Sequence, residues 1–167
     1  MWRDIKDDWK ANSRSINIAG FRVLLVYRFG IWRMSIKPKF LRMPFSFLYQ
    51  QMEKHVRFKY GIELPYTVAL GHHVTFEHQH GIVIHGNAVI GDNCVIRQGV
   101  TIGNRTSSAP YDAPVIGKNV NIGAGAKILG KITIGDNVTI GANAVVIKDV
   151  DEGVTVVGVP ARPVLKV

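Results

Sequence analysis

The sequence predicts a mainly β fold: a parallel β-helix, built as a solenoid of six-residue repeats and entered through a short N-terminal α-helical region. Three observations predict it. A large aliphatic or aromatic residue recurs every six positions over most of the span from Leu64 to Val146. A small or branched residue follows most of these four places later. Composition also changes near residue 60: residues 1–60 hold 13 Lys/Arg against 4 Asp/Glu, whereas residues 61–167 hold 8 of each.

The first element is therefore a basic N-terminal helical region, 1–60. Its opening stretch, "WRDIKDDWK", has no apolar core of the kind a signal peptide needs. The apolar segment "INIAGFRVLLVYRFGIWRM", 16–34, is interrupted by Arg22, Arg28 and Arg33. That falls short of the roughly 20 apolar residues that span a bilayer. It reads as an amphipathic helix. "FLRMPFSFLYQQMEKHVRFKY", 40–60, adds a second helix, broken or opened at Pro44. These helices have two expected roles. They cap the open end of the solenoid and protect its edge, or their share of the net charge of +9 rests on an anionic membrane surface. A cytoplasmic location follows, with peripheral contact at the inner face of the membrane. No nucleic-acid motif accompanies the charge, so no nucleic-acid partner is expected.

The second element is the solenoid, 61–167. Its large residues run Leu64, Leu70, Phe76, then Ile84, Ile90, Ile96, Ile102, then Ile116, Ile122, Ile128, Ile134, Ile140 and Val146. A helix of 3.6 residues per turn would walk a six-residue stripe around its surface, and a plain strand needs period two. A short strand plus a corner per six residues satisfies the period, and three such sides make a coil of about 18 residues. "GDN" at 91–93 and 135–137 is turn chemistry. Cys94, the single cysteine, falls in a small-residue slot, so it is expected buried and inert. Without a second cysteine there is no intrachain disulfide, which fits a reducing compartment.

The repeat breaks twice, at Phe76–Ile84 and at Ile102–Ile116, where a polar loop, 104–114, protrudes. Breaks in a regular scaffold are where function concentrates. Five of six histidines lie between residues 71 and 85. His72 and His73, on alternate faces, and His85 read as surface or packing residues. A zinc site shared between chains is the alternative, but the outward ligands on successive coils are not separated, and no metal is expected. His78 stands apart because it lies in a break and has a candidate partner. One coil of about 18 residues puts Glu63 beneath the chain near residue 81, one strand spacing of about 4.8 Å away. A carboxylate there could fix the imidazole tautomer and leave Nε2 as a base.

The motifs "FEHQHGIVI", "RQGVTIGNR", "VNIGAGAKILGKITIGDNVTIGANAVV" and "VVGVPAR" resemble the hexapeptide-repeat acyltransferases. Within them, the chain is similar to the serine acetyltransferase branch and to exopolysaccharide enzymes such as the colanic acid acetyltransferases. The resemblance covers residues 61–162, and "YRFGIW", 27–32, extends it to the preceding helix. It implies a left-handed β-helix, an exception to the usual right-handed crossover, and a homotrimer with sites between subunits. It carries the catalytic histidine onto His78 and its orienting carboxylate onto Glu63. It implies acetyl-CoA contacts at Gly103, Ala124 and Ala142, with Lys148 and Arg162 as phosphate partners. The Arg–His pair that holds the serine carboxylate in the family aligns with Asp112 and Ala113, and an aspartate repels a carboxylate.

The expected activity is therefore acetyl transfer from acetyl-CoA to a hydroxyl of a small-molecule or lipid-linked sugar in polysaccharide biosynthesis. His78 acts as the general base and Glu63 supports it. Glu77, His80 and Asp112 are the candidate acceptor-binding residues. Attack is direct, since no activated serine motif is present and Cys94 is buried. The alternatives are a serine O-acetyltransferase of cysteine biosynthesis, a zinc hydratase and a non-catalytic scaffold.

Overall fold

In the computed structural model, which describes residues 2–164, the six-residue period closes into three sheets around one core, parallel except for one antiparallel strand at the end of the third. Strands are numbered in chain order. One face stacks β1 (Ile62–Glu63), β4 (Ile82–Ile84), β7 (Thr101–Gly103), β10 (Lys127–Leu129) and β13 (Val145–Val146). A second stacks β2 (Ala69–Leu70), β5 (Val89–Ile90), β8 (Val115–Ile116) and β11 (Thr133–Ile134). The third stacks β3 (Thr75–Glu77), β6 (Val95–Arg97), β9 (Asn121–Ile122), β12 (Thr139–Ile140) and β14 (Thr155–Val157), then β15 (Arg162–Val164). The expected solenoid is borne out.

The repeat residues fill the interior as the period requires. Every large residue of the series except Leu70 is buried, and every small one except Ile132. Cys94 is among them, fully enclosed. At the corners the aspartate of each "GDN" accepts a backbone N–H from the coil before it: Asp92 from His72 at 2.9 Å, Asp136 from Lys118 at 2.7 Å. Asn93 and Asn137 then take left-handed φ of 58° and 60°, which asparagine tolerates. His73 has φ 57° at the equivalent turn, so the chain does not alternate there. Both His72 and His73 are exposed, which corrects the expectation that they face opposite ways.

The register locates both breaks. Ile62 pairs with Ile82, twenty residues on, and Val83 pairs with Thr101, eighteen on. The first break is thus a two-residue insertion between β3 and β4. Ile90 pairs with Ile116, twenty-six on, so the second break is an eight-residue insertion between β7 and β8. These lie at opposite ends of the face that holds β4 and β7, at two different corners of the coil.

Three helices precede the coils: α1 (Trp2–Ala11), α2 (Ala19–Met34) and α3 (Lys39–Tyr60). The α2 helix lies directly on the first coil. Tyr27 Oη donates to the Val68 carbonyl at 2.7 Å, and Gly20 packs so closely that a Cβ would meet the Phe76 carbonyl at 2.8 Å. Arg33 lies between the rings of Tyr49 and Tyr66, 4.4 and 4.5 Å from their centroids, and joins α2, α3 and the first coil. The helices therefore cover the first coil. The expected break at Pro44 does not occur, and α3 is continuous. Pro44 lies in the second turn, where its missing N–H leaves only the Phe40 carbonyl without a helical donor, at an end open to water.

Candidate functional site

The corner between β3 and β4 is the first place where the chain departs from its own repeat, by two residues. In the later coils this corner takes a left-handed residue each time: Gly99, Gly125 and Asn143, at φ 74°, 75° and 57°. The backbones stack tightly here, and a Cβ on Gly99 would come within 3.2 Å of Gly125 Cα. Gly81, at φ 74°, begins the stack. Between Glu77, paired in register with Arg97, and Gly81, stacked on Gly99, stand three residues where the next coil has only Gln98. His78, Gln79 and His80 are those three. His78 and His80 both take left-handed backbone, φ 65° and 78°, unusual for a non-glycine residue. Strained backbone of this kind clusters where geometry serves a site.

His78 is exposed and borders a cavity of about 330 Å³ lined by Ile18, Ala19, Gly20, Phe76 and Gln79. The cavity lies between the corner and the start of α2. His80 is fixed through its backbone: its N–H donates to the Tyr60 carbonyl at 2.7 Å and its carbonyl accepts from Gly99 at 3.0 Å. Its side chain leans over Gly61, where a Cβ would meet Nδ1 at 3.0 Å. Glu77 is held by Arg97, Oε2 to Nε at 2.9 Å. Arg97 also donates to the Asn121 side chain on the next coil. Sequence reading missed Arg97, although it lies one coil beyond Glu77.

Glu63 is displaced from its expected position. The two inserted residues lengthen the first coil, so Glu63 stacks on Val83 rather than beneath residue 81. Among the described residues no hydrogen bond or ion pair joins Glu63 to His78. Both nevertheless lie on the outer surface at the start of the same face.

Two other groups of predicted residues assemble. Ala124 and Ala142 lie one coil apart on the same corner edge as His78, linked through the Asn143 N–H to the Ala124 carbonyl at 2.8 Å. Lys148 and Arg162 both line a cavity of about 240 Å³ at the last coils, with Val146, Val150 and Val156. Small side chains leave that edge open to an elongated ligand, while in the cavity Asp149 and Asp151 stand beside the two cations. Gly103 and Asp112 are not part of this group. Gly103 ends β7 beside His85, and Asp112 lies in the protruding loop, held by a backbone bond to Ala109. That loop is anchored by the Asn87 side chain, which donates to the Tyr111 carbonyl at 3.1 Å. Within one chain, His78 and Asp112 stand at different corners. No group of three or more His, Cys, Asp or Glu is placed to hold a metal ion among the described residues.

Residues 113–148 match the family model described as Bacterial transferase hexapeptide (six repeats). The chain is 44% identical over 146 residues to a serine acetyltransferase of Synechocystis, covering 87% of this chain and 55% of that protein. It is 36% identical over 148 residues to the serine acetyltransferase of Bacillus subtilis, covering 87% of this chain and 68% of that one. A solved serine acetyltransferase in complex with CoA superposes with a TM-score of 0.73 at 33% identity, over 89% of this chain and 58% of that one. The chain spans a little over half the length of some curated relatives. These relatives bear out the hexapeptide-repeat and serine acetyltransferase parts of the resemblance. They carry no support for the exopolysaccharide part.

Proposed function

The chain belongs to the serine acetyltransferase family of hexapeptide-repeat transferases, and from that membership we propose that it moves acetyl from acetyl-CoA to a hydroxyl. The observation that carries the reading is His78. It is an exposed imidazole on an inserted, left-handed corner beside a cavity, at the position that matches the family's base. Its ring nitrogen takes the proton of the acceptor hydroxyl as that oxygen attacks the thioester carbonyl. The carbon–sulfur bond then breaks, and the departing CoA sulfur receives the proton from His78. General-base help of this kind is worth about 10²–10⁴ in rate. Glu63 is the carboxylate proposed to orient the imidazole once substrates close the site, since catalytic hydrogen bonds are often long in the empty state. Acetyl-CoA runs along the edge of Ala124 and Ala142, with its phosphates toward Lys148 and Arg162, and Gly103 serves it from the neighbouring corner.

Family membership favours L-serine over a sugar as the acceptor. One observation favours the second reading, a sugar hydroxyl. Asp112 and Ala113 stand where the family's Arg–His pair would hold the serine carboxylate, and an aspartate there repels it. Glu77 and His80 beside His78, with Asp112 from a neighbouring chain, are then hydrogen-bonding groups for a polyol. The test is thiol release from acetyl-CoA with L-serine and, separately, with a panel of free and nucleotide-linked sugars. Turnover with L-serine, lowered at least about 10²-fold in His78→Ala, supports the first reading, and turnover with sugars alone supports the second. Near-normal activity in a folded His78→Ala protein overturns the assignment of the base.

A further inference from the structure

The N-terminal helices contain a surface that neither the solenoid nor the proposed reaction uses. From Trp9 to Met52 the sequence has eight Lys or Arg and no Asp or Glu. The structure divides that charge. On α2, Arg22 donates to the Ile16 carbonyl, Asn17 and Tyr60 Oη, Arg28 is buried against Asp8 and Arg33 is buried between two tyrosine rings, so each of its arginines is engaged within the protein. On and just before α3, Lys37, Lys39 and Arg42 make no ion pair among the described residues.

The α3 helix has two apolar faces. One holds Tyr49, Val56 and Tyr60, which are buried against α2 and the first coil. The other points away from the protein. Phe40, Met43, Phe47 and Phe58 are 72%, 68%, 66% and 73% exposed. With Gln51 and Lys54 they fall at helical spacings of three and four, one continuous outward stripe. Leu41 and Leu48 widen it. A soluble surface leaves single apolar residues exposed, but the run Phe40, Met43 and Phe47, widened by Leu41 and Leu48 and edged by unpaired cations, marks an interaction site.

We propose that this outward face of α3 docks on an anionic lipid surface. Its apolar stripe enters the headgroup–acyl boundary, and Lys37, Lys39 and Arg42 meet the lipid phosphates. Charge complementarity selects this occupant. A second copy packed on the same stripe would bring two basic helices together, since the one carboxylate on α3, Glu53, is already paired with Arg57. An anionic bilayer satisfies the cations and the aromatic residues together. Attachment is peripheral, because no helix among the described residues is long and apolar enough to cross a membrane. The membrane face expected across both N-terminal helices is thereby narrowed to one face of α3.

The test is co-sedimentation of the full chain with phosphatidylcholine vesicles, with and without about a third phosphatidylglycerol, at about 0.02 M and 0.5 M salt. The expected result is binding to the anionic vesicles at low salt, release at high salt, and no binding to the neutral ones. Phe40→Ser with Phe47→Ser should lower the bound fraction at least about tenfold, with thermal melting and acetyl-CoA turnover unchanged. Lys37→Gln with Lys39→Gln and Arg42→Gln should remove the preference for anionic lipid. Equal recovery in the supernatant with both vesicle types overturns the proposal. So does lipid binding that the phenylalanine variant leaves intact. A change in the variant's oligomeric mass without lipid identifies a second copy as the occupant and overturns it too.

Discussion

Cys94 has no access to solvent, and its thiol donates to the Gly117 carbonyl at 3.1 Å. Burial pushes its pKa up from 9.0 to about 11. The folded chain therefore keeps the proton at a pH where the unfolded chain has begun to lose it. The stabilisation from a protonated Cys94 is full below about pH 9 and fades as pH rises through about 11. Urea unfolding at pH 8 and pH 10 should show the wild type losing about 1 kcal/mol more than Cys94→Ala over that interval. Equal losses would mean the thiol titrates normally. This slot was legible in the sequence because the core period fixes it without reference to any other residue. His78 was legible for the opposite reason, as a residue the period could not absorb. The partner of His78 was not, because it depends on the length of the first coil, and two inserted residues moved Glu63 onto Val83.

At the scale of elements, periodicity reveals those that bury a stripe and conceals those held by one contact. The α1 helix has ten residues, six of them charged, and its apolar Trp2, Ile5 and Trp9 all keep contact with solvent. Its docking rests on Asp8, which is buried and pairs with Arg28 Nε at 2.8 Å and Nη2 at 3.2 Å. Arg28 also donates to the Gly71 carbonyl at 3.3 Å, which ties α1 and α2 to the first coil. Breaking a buried pair from one side leaves an uncompensated charge and costs about 3–5 kcal/mol, whereas replacing both partners with apolar groups is often close to neutral. Asp8→Ala should therefore destabilise the protein by that amount in denaturant unfolding. Asp8→Ala combined with Arg28→Leu should recover most of the loss. Additive losses in the double variant would show that the pair does not act as a unit. Pro44 teaches the same lesson in reverse. Proline is read as a helix breaker, but near the open end of α3 it removes one bond and packing of Tyr49 and Val56 maintains the helix.

The whole molecule holds its candidate residues at two corners that one chain cannot join. His78, Ala124 and Ala142 follow the edge after the third face, and Asp112 follows the edge after β7, with the width of a sheet between them. In a three-fold ring of identical solenoids, each edge of one chain can meet the other edge of its neighbour, so three composite sites form without any rearrangement. Exposed Val83, Val89 and Val115 flank the loop corner on both sides and are available for that contact. The chain should sediment as a trimer. Mixing provides the sharper measurement, because a site shared between subunits can be rebuilt from two broken ones. Subunits carrying His78→Ala supply intact loops, and subunits with loop residues 105–112 truncated supply intact His78. Each preparation alone should be nearly inactive. Unfolded together and refolded at equal amounts, they should regain roughly a quarter of the wild-type sites, the fraction of random interfaces that pair a good histidine with a good loop. Full activity of the truncated protein alone, or no recovery in trimers proven to be mixed, would show that each chain carries its site by itself.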